Sequence, residues 1–333
     1  MEVMGTVPII KVRMKDKKSK IKVMFAVLAF FIFYFSFLIP QEADAAFFDT
    51  GFSARGSALG GAYSSLRGNS ELVFYNPAGL AGITNPQLSC YYHKPFAGLS
   101  NVNLNSAAAS FALPVYTKGV FGLGYTQFNA GDSADKLYQE TSVSAALSYK
   151  VNSRLFTGFT LKQLSHRYIF DDRSFSLSDE TFAGGCSASA VTADAGLDVI
   201  FSRTLNFGIS YQNFLAADVG IYDEDIVPPL LRFGSNFTKD KITIALDYGI
   251  RAQRWGDKTT ISLGGEWRFS DILAFRTGYN KDEKALGFGI NTLVFGEDLL
   301  TFNYAYCIPS QISGAASHRL SISLRHGKKI GTE

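Results

Sequence analysis

The stretch "KITIALDYGI", Lys241 to Ile250, decides the fold. Ile242, Ile244, Leu246, Tyr248 and Ile250 fall on one face, and Thr243, Ala245, Asp247 and Gly249 on the other. A period of two marks a strand, whose successive side chains point to opposite sides. The same dyad returns along the chain. In "TTISLGGEWRF" Ile261, Leu263 and Trp267 oppose Ser262, Gly264, Glu266 and Arg268, and in "LLTFNYAYCI" Leu300, Phe302, Tyr304, Tyr306 and Ile308 oppose Thr301, Asn303 and Ala305. Phe207, Ile209 and Tyr211 likewise oppose Asn206, Gly208, Ser210 and Gln212. One face is greasy and the other is small or polar.

About fourteen such segments follow residue 85, each roughly 9 to 13 residues long, near the length at which a tilted strand crosses a bilayer. They are expected at 87–96, 102–112, 119–129, 139–150, 154–166, 187–200, 204–215, 230–238, 241–251, 258–269, 271–280, 284–295, 298–308 and 316–326. Their connections supply an independent test, because outer-membrane barrels alternate short periplasmic turns with longer outer loops. "VNS", "SR", "KD", "SD" and "GED" are short. Between them come "NAGDSADKLYQE", "RYIFDDRSFSLSDETFAGG", "AADVGIYDEDIVPP", "RAQRWGD", "NKDEK" and "PSQISGAAS". A secreted β-sandwich or propeller would also alternate in hydrophobicity, but needs no alternation of turn length and no aromatics on one face of nearly every strand. The expected fold is all-β: a transmembrane, antiparallel, up-and-down β-barrel of about fourteen strands. An even strand count puts both barrel ends on the periplasmic side.

Composition agrees. Phe 29, Tyr 16 and Gly 31, with 18% charged residues, fit many short strands with aromatic and glycine punctuation. The N-terminus reads as a secretion signal. Lys15, Lys17, Lys18, Lys20 and Lys22 form a basic region, Val23 to Ile39 is apolar, and Ala43-Asp44-Ala45 fits a small-x-small cleavage site. Residues 1–45 are therefore expected to be removed, with Met14 a candidate true start. Their loss takes seven Lys/Arg and four Asp/Glu, and the formal charge falls from +3 to 0. The basic balance belongs to the leader, and no nucleic-acid partner is expected. Beyond it no run of 18 apolar residues marks a membrane helix. Cys90, Cys186 and Cys307 have no metal or redox spacing. One disulfide among them is open and unassigned; small, partly buried thiols are the simpler reading.

Between leader and strands lies "NSELVFYNPAGLAG", Asn69 to Gly82. Pro77 turns Asn76 out of the helical region, and Gly79 and Gly82 loosen the backbone after it, so a compact turn with hydrophobic shoulders is expected. The wider stretch Gly51 to Ile83, with Ala54-Arg55, Leu59-Gly60-Gly61-Ala62-Tyr63 and Tyr75-Asn76-Pro77-Ala78-Gly79-Leu80, resembles the PorV/PorQ family of outer-membrane proteins, within the FadL-like long-chain fatty-acid transporter group. That resemblance implies a fourteen-strand barrel closed by a strand such as His318 to Leu324. It departs at the end, where His326 replaces the usual terminal aromatic and "GKKIGTE" comes after it. A barrel of about fourteen strands leaves an open lumen unless something fills it. Residues 46–86 are the expected plug, or hatch, with Arg55, Gly60, Gly61, Tyr75, Asn76, Pro77, Ala78, Gly79 and Leu80 as its motif. The barrel is expected over 87–326 and a periplasmic tail over 327–333.

The resemblance implies two functions: passive capture and uptake of a hydrophobic small molecule, or reception of a secreted protein at the outer face. Outer-loop residues Tyr168, Phe170, Phe175, Phe182, Ile221 and Tyr222 are candidates to line a ligand-access groove, with Ile169, Leu215, Ile226 and Val227 beside them. For any one of them, interfacial girdle or loop packing is the plainer role. No cofactor is implied. Asp223-Glu224-Asp225 lacks the spacing of a cation loop, and reads as a solvated tip suited to ion-bridged lipopolysaccharide. His166, near Ser165 and Asp171-Asp172, is the best placed of four histidines for hydrolysis, yet polar residues at a barrel rim are expected anyway, so no enzyme is inferred. The expected assembly is a monomer in the bacterial outer membrane.

Overall fold

The computed structural model describes residues 47, 51–97, 103–115, 117–131, 136–169, 185–252, 257–294, 298–310 and 315–327. The expected leader 1–45 with Met14, the loop residues Phe170, Phe175 and Phe182, and the residues from 328 onward lie outside them.

Fourteen strands among the described residues form one closed antiparallel barrel. They are β1 (Gln87–Ala97), β2 (Asn105–Pro114), β3 (Gly119–Gly131), β4 (Lys136–Lys150), β5 (Leu155–Tyr168), β6 (Ser187–Ile200) and β7 (Leu205–Gln212). β8 (Leu230–Lys239), β9 (Ile242–Arg251), β10 (Lys258–Arg268), β11 (Leu273–Asn280), β12 (Glu283–Val294), β13 (Asp298–Pro309) and β14 (Ala316–Arg325) complete it. Each strand pairs with its neighbours in sequence, and β1 closes on β14 through Tyr92↔Leu320 and Cys90↔Ile322. Closure leaves no free edge, which a structure surrounded by lipid requires.

The alternation divides as the sequence predicts. Ile242, Ile244 and Leu246 are about half exposed on the outside, while Thr243, Ala245 and Asp247 are buried within. Leu147, Leu161, Val191, Ile261, Leu263, Leu286 and Ile322 extend the outer apolar band, far more than a water-facing surface carries but what a bilayer core demands. Tyr149, Phe201, Phe237, Trp267 and Phe269 lie within a few residues of the short turns and begin an aromatic girdle, where Trp267 packs on Phe269 at 5.3 Å.

Three of the short turns share one device. Asn152, Ser202 and Ser270 each accept hydrogen bonds from backbone N–H groups two and three residues ahead, such as Asn152 Oδ1 from Arg154 at 2.8 Å. Two expectations are corrected at the opposite end. "NKDEK" is a two-residue turn, Lys281-Asp282, because Asn280 Oδ1 takes the N–H groups of Asp282 and Glu283 at 2.8 Å each and closes the hairpin at once. The strand expected at 204–215 ends at Gln212, since Asn213 adopts a left-handed φ of 53° and gives its N–H to Asp194 instead of to the ladder.

Residues 51 to 85 run inside this cylinder. Ser53 caps the short helix α1 (Ala54–Ala58), and two 3₁₀ turns, Ser70–Phe74 and Pro77–Gly82, are capped by Asn69 and Asn76. The compact turn expected there is thus a pair of capped 3₁₀ turns, with Pro77 at the first helical position, where its missing N–H costs nothing. Leu59, Tyr63, Leu72, Val73, Tyr75 and Leu80 are almost fully buried in one apolar cluster, which reaches Ala112, Val120 and Ala146 of the wall.

Candidate functional site

The inner segment is seated by charge. Arg55 donates to both oxygens of Glu266 at 2.9 Å, and Glu266 also receives Arg276 at 2.7 Å, itself bonded to Asn303 at 3.0 Å. Asp247 accepts the backbone N–H groups of Tyr63 and Ser64 at 3.1 and 2.9 Å. Arg67 pairs with Asp198 at 3.2 Å and donates to Asn206 at 2.9 Å. Each carboxylate is inward-facing on a strand and nearly buried, where an unpaired charge would be costly.

Asn76 is the junction of the segment. It is fully buried; its Oδ1 takes Ala78 N–H at 3.1 Å, and its Nδ2 donates to Ser64 O at 2.6 Å and to Leu197 O of β6 at 3.2 Å. The wall then satisfies the carbonyls that the 3₁₀ turns leave over: Gln212 bonds Phe74 O at 2.7 Å, Ser210 bonds Tyr75 O at 2.5 Å and Ser148 bonds Ala78 O at 3.2 Å. Tyr63 and Tyr75 stack edge-to-face at 5.0 Å.

Close approach explains the small inner residues of the strands. A Cβ on Gly158 would overlap the Pro77–Ala78 peptide, and one on Gly278 would overlap Leu59 and the backbone N of Gly60. Gly60 itself turns with φ +66°, against Tyr279 of β11. The room that these glycines leave on the inner face is occupied by the chain's own segment, which also reaches Asn280, whose Nδ2 donates to Gly60 O at 2.9 Å.

Glu71 sits in this interior beside Arg55, hydrogen-bonded by Ser53. Burial holds its carboxyl above the usual range, and the Ser53 hydroxyl and the two nearby arginines only partly offset this. Burial likewise pushes the Tyr63 phenol up to about 12.

Above the segment, toward the longer loops, lie two cavities. One, of about 170 Å³, is bounded by Phe47, Phe52, Phe74, Phe128, Leu164 and Leu230, with Thr126, Ser142, Ser144, Lys162 and Asp194 among its polar neighbours. The other, of about 130 Å³, is polar, with Arg232, Asp247, Lys258, Asp282, Glu283 and Arg319 on its wall. Leu230 and Arg251 border both.

No family model and no curated protein matches the chain. Among solved structures it is similar to the toluene transporter TbuX of Ralstonia pickettii, with TM-score 0.59 and 14% identity over 84% of this chain and 98% of that one. The CymD monoaromatic hydrocarbon channel matches at 0.60 and 15%, over 84% and 98%, and a Pseudomonas aeruginosa FadL homologue at 0.56 and 12%, over 86% and 98%. The fold is that of the FadL-like barrels.

Of the motif residues, Arg55, Tyr75, Asn76, Pro77, Ala78, Gly79 and Leu80 meet at the wall contacts or in the buried cluster, and Gly60 and Gly61 form the left-handed turn between them. Of the described loop residues, Tyr168 packs at a tilt on Tyr138, ring centroids 4.9 Å apart, Ile221 is half-buried and Tyr222 is 69% exposed; none borders either cavity. Val219 and Val227 of that loop are instead folded inward against Leu164. His166 donates Nε2–H to the Val219 carbonyl at 2.7 Å, among the rings of Phe47, Tyr138 and Tyr168. The three cysteines are unpaired. Glu266, Asp247, Asp198 and Arg276 were not assigned from sequence, although charge on the inner face of a strand in a chain so poor in charge was the available signal.

Proposed function

We propose that the barrel lies in the bacterial outer membrane with both ends periplasmic, and conducts passive, cofactor-free uptake of a hydrophobic small molecule, with residues 46–86 as its hatch. The observation that carries this is the phenylalanine-lined cavity between the loops and the inner segment, enclosed in a wall whose outside is apolar. The toluene and monoaromatic hydrocarbon transport named for its structural neighbours supports the same reading. Lipid and lipopolysaccharide surround a single chain.

The test is reconstitution of the purified barrel in liposomes, with uptake of labelled toluene and of a labelled fatty acid followed against empty vesicles. Faster filling for either compound is expected; equal rates sink the transporter reading.

A second reading has its own support. The inner segment is fixed to the wall by three carboxylates, which suits a barrel that holds a secreted protein at its outer face, in the manner of the PorV/PorQ resemblance. Capture of a secreted protein by the barrel, together with no uptake, is the outcome that favours it.

A further inference from the structure

The larger cavity carries hydrogen-bonding capacity that the protein does not use. Thr126 of β3 and Ser142 of β4 are directly opposed across the strands, and Ser144 lies two residues along the same inner face. Their hydroxyls have no hydrogen-bond partner among the described residues. Asp194, 1% exposed, spends Oδ1 on Lys162 at 2.7 Å and on the Asn213 N–H at 2.8 Å, while its Oδ2 is buried with no partner. A buried carboxylate oxygen left so is costly, and a ligand N–H or O–H relieves it.

We propose that this cavity binds a neutral, single-ring aromatic bearing a hydroxyl group, which donates to Asp194 and accepts from the Thr126/Ser142/Ser144 wall. The inference rests on the uptake reading and names its substrate class. Size favours one ring: a cavity of about 150 Å³ is known to hold benzene, and this one is about 170 Å³. The rings of Phe52 and Phe74, themselves 5.5 Å apart, give it an aromatic floor. Charge favours neutrality. Two carboxylates, Asp194 and Glu140, and two cations, Lys162 and Arg251, border it, with Lys162 paired to Asp194 and Glu140 taking the Phe47 N–H and the Tyr138 O–H at 2.9 Å each, so the lining is balanced by itself and a carboxylate ligand would add an unmatched charge.

Equilibrium dialysis of the purified protein in detergent, against protein-free micelles, tests this with 4-methylphenol, toluene and 4-methylbenzoate at pH 7. Saturable binding of 4-methylphenol is expected, with 4-methylbenzoate at least about tenfold weaker. In the variant T126V/S142A/S144A, 4-methylphenol should weaken by about tenfold and toluene by less than about twofold. If that variant loses the folded band on an unheated gel, Ser142→Ala alone is used, with about a threefold loss expected for 4-methylphenol only. No saturable 4-methylphenol binding, benzoate binding as tight as phenol, or equal effects on phenol and toluene each overturn the proposal. Binding in the expected pattern by a barrel that fails to fill liposomes would leave this site standing and remove only the uptake reading.

Discussion

Arg55 and Glu266, 211 positions apart, meet in a two-pronged pair of 2.9 Å hydrogen bonds, with Arg276 on the same carboxylate at 2.7 Å. The glutamate therefore ties the inner segment to β10 and β11 at once. Replacing it, Glu266→Ala, leaves two arginines without their shared anion. The expected cost is about 3–5 kcal/mol, the range for breaking a buried pair by removing one partner. Limited proteolysis should find the segment cleaved faster in the variant, with the barrel still folded; unchanged cleavage would mean that the pair does not hold the segment.

Gly158 and Gly265 give a matched contrast. Any side chain on Gly158 collides with the Pro77–Ala78 backbone, whereas a Cβ on Gly265 comes no nearer than 3.7 Å to the Thr277 side chain. Gly158→Val should raise ion conductance across a planar bilayer by displacing the turn, or block assembly. Gly265→Ala should do neither. Equal behaviour of the two in conductance and in folded yield would contradict the seating described.

The strands were legible because lipid on one side and a crowded lumen on the other impose a strict period of two, as in Ile242 to Asp247. The filling of the lumen was only half legible. Asn76-Pro77 announces a turn through local chemistry, but the partners of that turn, Leu197, Ser148 and Ser210, lie far along the chain and carry no local mark. Gly158, Gly196 and Gly278 read as empty space in the sequence, and in the structure they are the imprint of the segment itself. Asn213 and Asn280 likewise end their strands through hydrogen bonds to Asp194 and to a tight turn, which hydrophobic periodicity does not register.

Asn76 and Pro77 test whether the segment is a hatch or an assembly element. Removing the Asn76 side chain deletes the cap on Ala78 and the bonds to Ser64 and Leu197, roughly 2–4 kcal/mol in all. In N76A/P77A the strands keep their own ladder, so circular dichroism should be retained while liposome permeability changes. Loss of the whole barrel would make the segment an assembly element instead.

Glu71 gives the segment a pH dependence whose sign comes from burial. Its native carboxyl titrates above the ordinary value of about 4.3, so over that interval the native state binds more protons than the unfolded one. Its contribution is therefore fully present below about 4.3 and declines as pH rises through the raised native value. Protection of the Ser70–Phe74 amides from hydrogen exchange, corrected for the intrinsic rate, should be greater at pH 4 than at pH 8. Glu71→Gln removes the titrating group and keeps the shape, so its protection should lose most of that difference. A pH profile identical in this variant and the native protein would assign the dependence to another group.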